Sequence, residues 1–134
     1  MGRLLGLDYG TKRIGVAISD SSRLIASPYT VIDAASALPA LDEILAKEEV
    51  DALVVGLPLS LSGEEGVSAA AARSFGRKVA DATGLEVLFV DERFTTKVAE
   101  DALIAGGMRR AKRRDIRDKM AATVMLQGHL DSLR

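Results

Sequence analysis

The sequence predicts an α/β protein with a mixed five-stranded sheet flanked by helices. Three strand-like segments come first, at residues 3–8, 13–19 and 24–32. A short turn containing glycine joins the first two, which indicates antiparallel pairing. Two further short apolar segments, 51–56 and 85–90, alternate with helical segments. That alternation is typical of parallel strands joined by helical crossovers.

Four helices are predicted from hydrophobic spacing and from residues that end helices. Apolar residues recur at helical spacing over 36–48 and 66–82, and Gly84 is a suitable stop for the second helix. Two more helices are expected, over 96–105 and 114–132. The predicted order of elements is therefore β-β-β-α-β-α-β-α-α.

Length and composition predict a single domain over residues 1–134, because 134 residues suit one domain and no linker divides the chain. The absence of cysteine excludes disulfides and a thiolate zinc site. No apolar run approaches the roughly 20 residues of a membrane span. The first residues, MGRLLGLDYG, do not resemble a signal peptide. We therefore expect a cytoplasmic protein without a membrane partner.

Charge is distributed unevenly along a chain whose net charge is only −1. Between residues 109 and 119 lie Arg109, Arg110, Lys112, Arg113, Arg114, Arg117 and Lys119, opposed only by Asp115 and Asp118. Such a one-sided cluster favours a polyanionic partner such as nucleic acid. The alternative is a solvated start of a helix with mixed charge.

Acidic residues occupy three positions that suggest a metal site. Asp8 closes an otherwise apolar strand, and Asp91 and Glu92 follow the buried strand 85–90. Asp118 precedes two small residues, Ala121 and Ala122, at i+3 and i+4, which allow its helix to approach the sheet closely. Asp115 lies on the same helical face and is the close alternative, as Asp91 is to Glu92.

A carboxylate at the end of a buried strand is costly unless its charge is compensated. Converging carboxylates are the ligands that hard cations such as Mg²⁺ or Mn²⁺ prefer. Two such ions can activate a water and stabilise the leaving oxygen of a phosphodiester. The bland alternative is that each acid is a helix cap or an ion-pair partner.

Four motifs, in order and over nearly the whole chain, resemble those of the YqgF/RuvX family. They are LGLDYGTKRIGVA at 5–17, VVGLPL at 54–59 followed by GEEG at 63–66, DERFTT at 91–96, and DKMAA at 118–122 followed by LQ at 126–127. Ser60 stands where the family usually has Asn, and Phe94 where it usually has Leu. Neither difference changes a carboxylate, but the first leaves the substrate contact of its loop open.

The resemblance implies an RNase H-like fold and a nuclease. It implies that Asp8, Glu92 and Asp118 are both the catalytic acids and the metal ligands. Family members are described as candidate nucleases that process the 5′ end of pre-16S rRNA during ribosome biogenesis. They have also been described as candidate Holliday junction resolvases in DNA recombination, and a resolvase is expected to be a homodimer.

Nucleic-acid contacts are expected from residues near the acids and from the basic cluster. The candidates are Thr11, Lys12, Arg93, Arg109, Arg110, Lys112, Arg113 and Arg114. A turn role for Thr11 and Lys12, and an ion pair for Arg93, are equally good explanations. Only five aromatic residues occur, so an aromatic platform for single strands is not expected.

Two other functions compete with a nuclease. A non-catalytic nucleic-acid-binding module of the same fold would explain the basic cluster but not the full set of acids. A phosphotransferase would explain the resemblance of residues 8–11 to the phosphate loop of actin-like kinases. Those kinases need two such domains, and 134 residues hold one.

Overall fold

The computed structural model describes residues 2–58, 66–91 and 110–133, with the side chains of 110–118 excepted. A short 3₁₀ turn, Ala34–Ser36, precedes the first helix. The strands are β1 (Arg3–Tyr9), β2 (Arg13–Ser19), β3 (Ala26–Asp33), β4 (Val50–Leu57) and β5 (Glu86–Asp91). The described helices are α1 (Ala37–Lys47), α2 (Val67–Thr83) and α3 (Arg110–Ser132).

The five strands form one sheet in the order β3-β2-β1-β4-β5. β2 pairs antiparallel with both β1 and β3, whereas β4 pairs parallel with β1 and β5. The predicted mixed sheet is therefore confirmed. Because β1, β4 and β5 are parallel, their carboxyl ends meet at one edge of the sheet, which we call the carboxyl edge.

Helices cover both faces of the sheet, and each face has its own hydrophobic core. The face under α1 and α2 buries Leu5, Leu7, Val55, Leu41 and Val79, among others. The face under α3 buries Leu4, Val54, Ala122, Leu126 and Leu130, among others. Neighbouring residues of β1 thus enter opposite cores, as the pleat of a strand requires.

Two predicted boundaries are wrong. The third strand begins at residue 26 rather than 24, because the Asp20 carboxylate accepts hydrogen bonds from the backbone N–H groups of Leu24 (2.8 Å) and Ile25 (3.0 Å) and holds them in a turn. The last helix begins at Arg110 rather than at residue 114, since Arg, Lys and Ala are good helix formers and nothing interrupts them.

Other predicted elements agree with the structure or cannot be compared with it. Gly84 ends α2 with a φ of 73°, a left-handed conformation that glycine adopts without strain. The predicted helix over 96–105 lies outside the described residues. In the described part of the chain, no helix is both long enough and apolar enough to span a membrane.

Candidate active site

Asp8 lies near the end of β1, on the face of the sheet that α3 covers. Leu4, on this strand, belongs to the core under α3, and Gly6 lies directly beneath that helix. A Cβ atom at Gly6 would be 3.0 Å from the Cβ of Leu126 and 3.5 Å from the carbonyl oxygen of Ala122. Because side chains alternate along a strand, Asp8 shares this face. Its side chain is half-buried, at the carboxyl edge.

The inner face of α3 consists of residues four apart. Ala122, Leu126 and Leu130 are fully buried against the sheet. Position 118 lies one turn before Ala122 on the same helix, and its side chain is outside the described set. The predicted small face of this helix is confirmed at Ala121 and Ala122, which are 1% and 0% exposed.

Gln127 attaches α3 to the opposite end of the sheet. Its side-chain amide accepts a hydrogen bond from the N–H of Ala26 (2.8 Å) and donates one to the carbonyl of Leu24 (3.0 Å). Ala26 pairs with Ser19, whose hydroxyl accepts a hydrogen bond from the N–H of Leu4 near the start of β1. Sequence analysis assigned Gln127 to a motif but missed this role, which depends on contacts between residues about 100 positions apart.

Asp91 lies on the other face of the sheet from Asp8. Along β5, Phe89 packs against the core under α1 and α2, and Val90 packs against the core under α3. Asp91 pairs with Leu57, which is buried in the core under α1 and α2. Strand alternation therefore separates Asp91 from Asp8. Glu92 follows immediately and lies outside the described residues.

The turn after Asp8 exposes two of the predicted nucleic-acid contacts. Thr11 and Lys12 are both exposed between β1 and β2. The carbonyl of Lys12 accepts a hydrogen bond from the N–H of Ala34 (3.0 Å), which fixes the turn against the 3₁₀ segment. At Gly10, a Cβ atom would approach the carbonyl oxygen of Arg13 to 2.5 Å, so the tight turn requires glycine.

For the other residues predicted to contact nucleic acid, the structure describes either the backbone alone or nothing. The backbone of Arg110, Lys112, Arg113 and Arg114 is helical, in the first turns of α3. Arg93 and Arg109 lie outside the described residues. Among the described side chains, no three acidic, histidine or cysteine residues cluster as a metal site would require. Glu92 and the side chain of Asp118 lie outside that described set.

His129, the single histidine of the chain, has no hydrogen-bond partner for its buried Nε2 atom within the described structure. Burial lowers the pKa of its imidazole below the usual value. It lines a cavity of about 430 Å³ between α3 and β5, together with Val90 and Asp91. Its neutral form is therefore favoured, in agreement with a structural role.

Comparison with known proteins identifies the family. A family model described as "RuvX: Holliday junction resolvase" matches residues 2–132. The chain belongs to the RuvX family. The family predicted from the four motifs is thus confirmed.

Curated relatives of this RuvX chain align over almost their whole length. A protein of Lactococcus lactis subsp. lactis is 44% identical over 97% of this chain and 94% of its own. A protein of Moorella thermoacetica is 44% identical over 98% of this chain and 96% of its own. Both are described as "Putative pre-16S rRNA nuclease". The predicted class of enzyme, a phosphodiester hydrolase, is confirmed at the level of these relatives.

Solved structures similar to this RuvX chain confirm the predicted RNase H-like fold. RuvC of Thermus thermophilus, in complex with a Holliday junction substrate, matches with a TM-score of 0.58 and 16% identity, over 99% of this chain and 96% of RuvC. The Fowlpox virus resolvase, in complex with Holliday junction DNA, matches with a TM-score of 0.58 and 12% identity, over 98% of both chains. At these identities the likeness concerns the fold alone.

Proposed function

We propose that this chain is a divalent-metal-dependent endonuclease, formed by one domain over residues 1–134, that processes the 5′ end of pre-16S rRNA. The observation that carries the proposal is the position of Asp8. Its carboxylate lies at the carboxyl edge, on the face that α3 covers, where the close approach of Leu126 to Gly6 brings helix and strand together. The substrate follows from the description that the curated relatives carry.

Asp8, Glu92 and Asp118 are the proposed metal ligands. If the alternation of β5 continues by one residue, Glu92 lies on the same face as Val90 and Asp8, whereas Asp91 does not. Position 118 is one helical turn before Ala122, where the described buried stripe of α3 begins. Gln127 fixes the later turns of α3 at the end where β1 begins, so the earlier turns lead toward Asp8.

This donor set fits a hard divalent cation, because the three side chains offer only carboxylate oxygens. Bound there, Mg²⁺ or Mn²⁺ would supply activation of a water molecule and stabilisation of charge on the phosphodiester. The half-burial of Asp8 restricts water around its carboxylate and strengthens its electrostatic interactions. Asp8 would thereby hold the cation at the carboxyl edge, and the cation would draw the scissile phosphate to that edge.

Basic residues on both sides of Asp8 are the proposed phosphate contacts. Thr11 and Lys12 are exposed in the turn that follows it. Arg93 follows Glu92 in the chain, and the basic cluster Arg109, Arg110, Lys112, Arg113 and Arg114 includes the first turns of α3. Such contacts supply affinity that depends on salt and little on sequence.

A cleavage assay tests the proposed function. Wild type, Asp8→Asn and Asp81→Asn are incubated with a pre-16S 5′ leader RNA and with Mg²⁺ or Mn²⁺. Asp81 is an exposed acid of α2 and serves as the matched control. We expect Asp8→Asn to lose cleavage roughly 100-fold or more, since even outer-shell changes at metal sites cost about 10- to 100-fold. Cleavage by Asp8→Asn at the rate of Asp81→Asn would overturn the assignment.

The second candidate function is Holliday junction resolution, which the description of the family model favours. A resolvase cuts two symmetry-related strands and should therefore be a twofold dimer. A four-way DNA junction in the same assay, with the mass of the chain in solution, distinguishes the two functions. Paired symmetric cuts by a dimer would support resolution, whereas cleavage of the RNA alone would exclude it.

A further inference from the structure

A cavity between α1 and α2 lies on the opposite face of the sheet from Asp8, at the same edge. We call it the α1–α2 pocket. Its volume is about 410 Å³, within the range of roughly 300–1,000 Å³ that is typical of small-ligand sites. The lining residues that matter here are Tyr9, Leu38, Ala71, Ser74, Phe75 and Lys78.

The pocket has a rigid aromatic wall. Tyr9 is stacked on Phe75, with the ring centroids 4.8 Å apart and the planes 30° from parallel. Phe75 is only 8% exposed, so it fixes the ring of the half-buried Tyr9 from behind. The other walls are formed largely by alanine and by Leu38 and Pro39. A flat apolar ligand can therefore stack there without reorganising the protein.

Charge at the rim selects the kind of flat ligand. Lys78 is exposed at the pocket, and none of the described residues that line it is acidic. Ser74 adds a hydroxyl that can donate or accept a hydrogen bond. Apolar walls, a hydroxyl and one cation suit an aromatic ring that carries a nearby anion, which is the chemistry of a nucleotide.

The turn after Asp8 links the pocket to the proposed active site. Tyr9 directly follows Asp8 in β1, and the exposed Thr11 and Lys12 come next around the edge of the sheet. The carbonyl of Lys12 is hydrogen-bonded to the N–H of Ala34, which itself lines the pocket. One strand of nucleic acid can therefore follow this turn from Asp8 to the pocket.

We propose that the α1–α2 pocket binds one unstacked base of the substrate strand, and that Lys78 contacts an adjacent phosphate. The strand is the one presented to Asp8, so this inference rests on the proposed function. Unstacked bases that stack on aromatic side chains are the usual means by which proteins recognise single-stranded RNA. The proposed site takes a single base. It therefore differs from an extended aromatic platform for single strands, which the small number of aromatic residues makes unexpected.

RNA binding by two matched leucine variants tests the pocket. Ala71 lines the pocket and is half-buried, whereas the neighbouring Ala70 is exposed and does not line it. Leucine is a good helix former at either position. The dissociation constant is measured in EDTA, without cleavage, for a single-stranded pre-16S 5′ leader RNA and for copies in which one abasic site is moved along the strand.

We expect Ala71→Leu to raise the Kd roughly 10-fold, the effect of losing one base–aromatic stack, and Ala70→Leu to leave it unchanged. One abasic position should raise the Kd by the same factor in wild type and in Ala70→Leu, but not in Ala71→Leu. Equal Kd values for the two leucine variants would overturn the proposal.

A second pair of variants keeps the proposal testable if Ala71→Leu does not fold. Lys78→Ala should lower the slope of log affinity against log salt by about 0.7, the value for one phosphate contact on a single strand. Arg77, the exposed neighbour that does not line the pocket, supplies the control Arg77→Ala. An unchanged slope in Lys78→Ala would contradict the phosphate contact.

These measurements separate the pocket from the proposed function, because binding is recorded without cleavage. Base-dependent binding by a chain that cuts no nucleic acid with any metal would refute the nuclease and leave the pocket standing. Normal cleavage with equal Kd values in Ala71→Leu and Ala70→Leu would refute the pocket and leave the nuclease standing.

Discussion

Gly6 packs directly against Leu126: a Cβ atom on the glycine would stand 3.0 Å from the Leu126 Cβ and 3.4 Å from its Cδ2, closer than such atoms normally pack. This contact sets the distance between α3 and β1. Asp8 lies two residues further along the strand, and Asp118 lies two helical turns before Leu126. The distance between the two proposed ligands therefore depends on residue 6 being glycine, which has no Cβ atom.

Gly6→Ala is expected to push α3 away from β1. Overpacking of this kind costs about 1–3 kcal/mol, and the free energy of unfolding in urea measures it. Metal-dependent cleavage should fall more than stability does, because the ligands move apart. Gly128→Ala is the control: it lies in the same helix with nothing within 4 Å of the added methyl, so it should stabilise the chain by up to about 1 kcal/mol. Unimpaired cleavage by Gly6→Ala would contradict the role of this contact.

Glu92→Gln and Asp91→Asn are expected to have very different rates of cleavage. Asp91 pairs with Leu57 on the face opposite Asp8, so its amide variant should keep cleavage within about twofold of wild type. Glu92→Gln should lose cleavage by roughly 100-fold or more, as expected for a metal ligand. Initial rates on the leader RNA at saturating Mn²⁺ measure both. The reverse order of effects would mean that Asp91 is the ligand.

Gln127→Leu is expected to loosen α3 at its other attachment. The substitution leaves the N–H of Ala26 and the carbonyl of Leu24 without their side-chain partner. An unsatisfied, partly buried backbone group costs about 1–3 kcal/mol. Urea unfolding should detect this loss, and Mn²⁺ affinity should fall with it. As control, Asp131→Asn keeps a side-chain oxygen that can accept the exposed 2.9 Å hydrogen bond from the Gln127 amide, so it should be nearly neutral. Equal stabilities of the two variants would refute the attachment.

His129 predicts a specific dependence of stability on pH. Burial lowers its pKa in the folded state, so the unfolded chain binds the proton more readily. Its contribution to stability is therefore present above its ordinary pKa, about 6.5, and is lost as pH falls through the lower folded value. His129→Leu should flatten unfolding free energy against pH in that window. Because the chain has one histidine, a wild-type slope retained by the variant would contradict this origin.

The positions of single acids were predictable where strand periodicity decides them. A period of two puts Asp91 and Glu92 on opposite faces, so only one of them can join Asp8, and the motif favoured Glu92. The structure of β5 places Asp91 on the face opposite Asp8. The choice between Asp115 and Asp118 is different. It depends on how α3 rotates against the sheet, and the motif favoured Asp118 where periodicity could not.

Features built from distant segments were not predictable. The α1–α2 pocket joins Tyr9, the segment around Leu38 and the face of α2 that carries Ala71 and Lys78. Each segment alone predicts only the end of a strand or an amphipathic helix, so no local sequence pattern indicates the cavity. The attachment of Gln127 to Ala26 likewise depends on how the chain folds back on itself.

The start of α3 was predicted too late in the sequence, because the segment before it is dense in charged residues. The sequence prediction began the last helix at about residue 114, after most of the basic residues, but arginine, lysine and alanine favour helix, and the helix includes them from Arg110. Arg110, Lys112, Arg113 and Arg114 therefore share one helix with Asp118. A movement of this helix would displace phosphate contacts and metal ligand together.

Binding of Mn²⁺ in solution tests the central claim, that Asp8 helps to hold a divalent metal, most directly. Titration calorimetry on wild type, Asp8→Asn and the control Asp81→Asn needs no substrate and no cleavage. We expect saturable binding by wild type and Asp81→Asn, and affinity reduced at least about 10-fold in Asp8→Asn. Equal affinity in all three proteins would contradict the account.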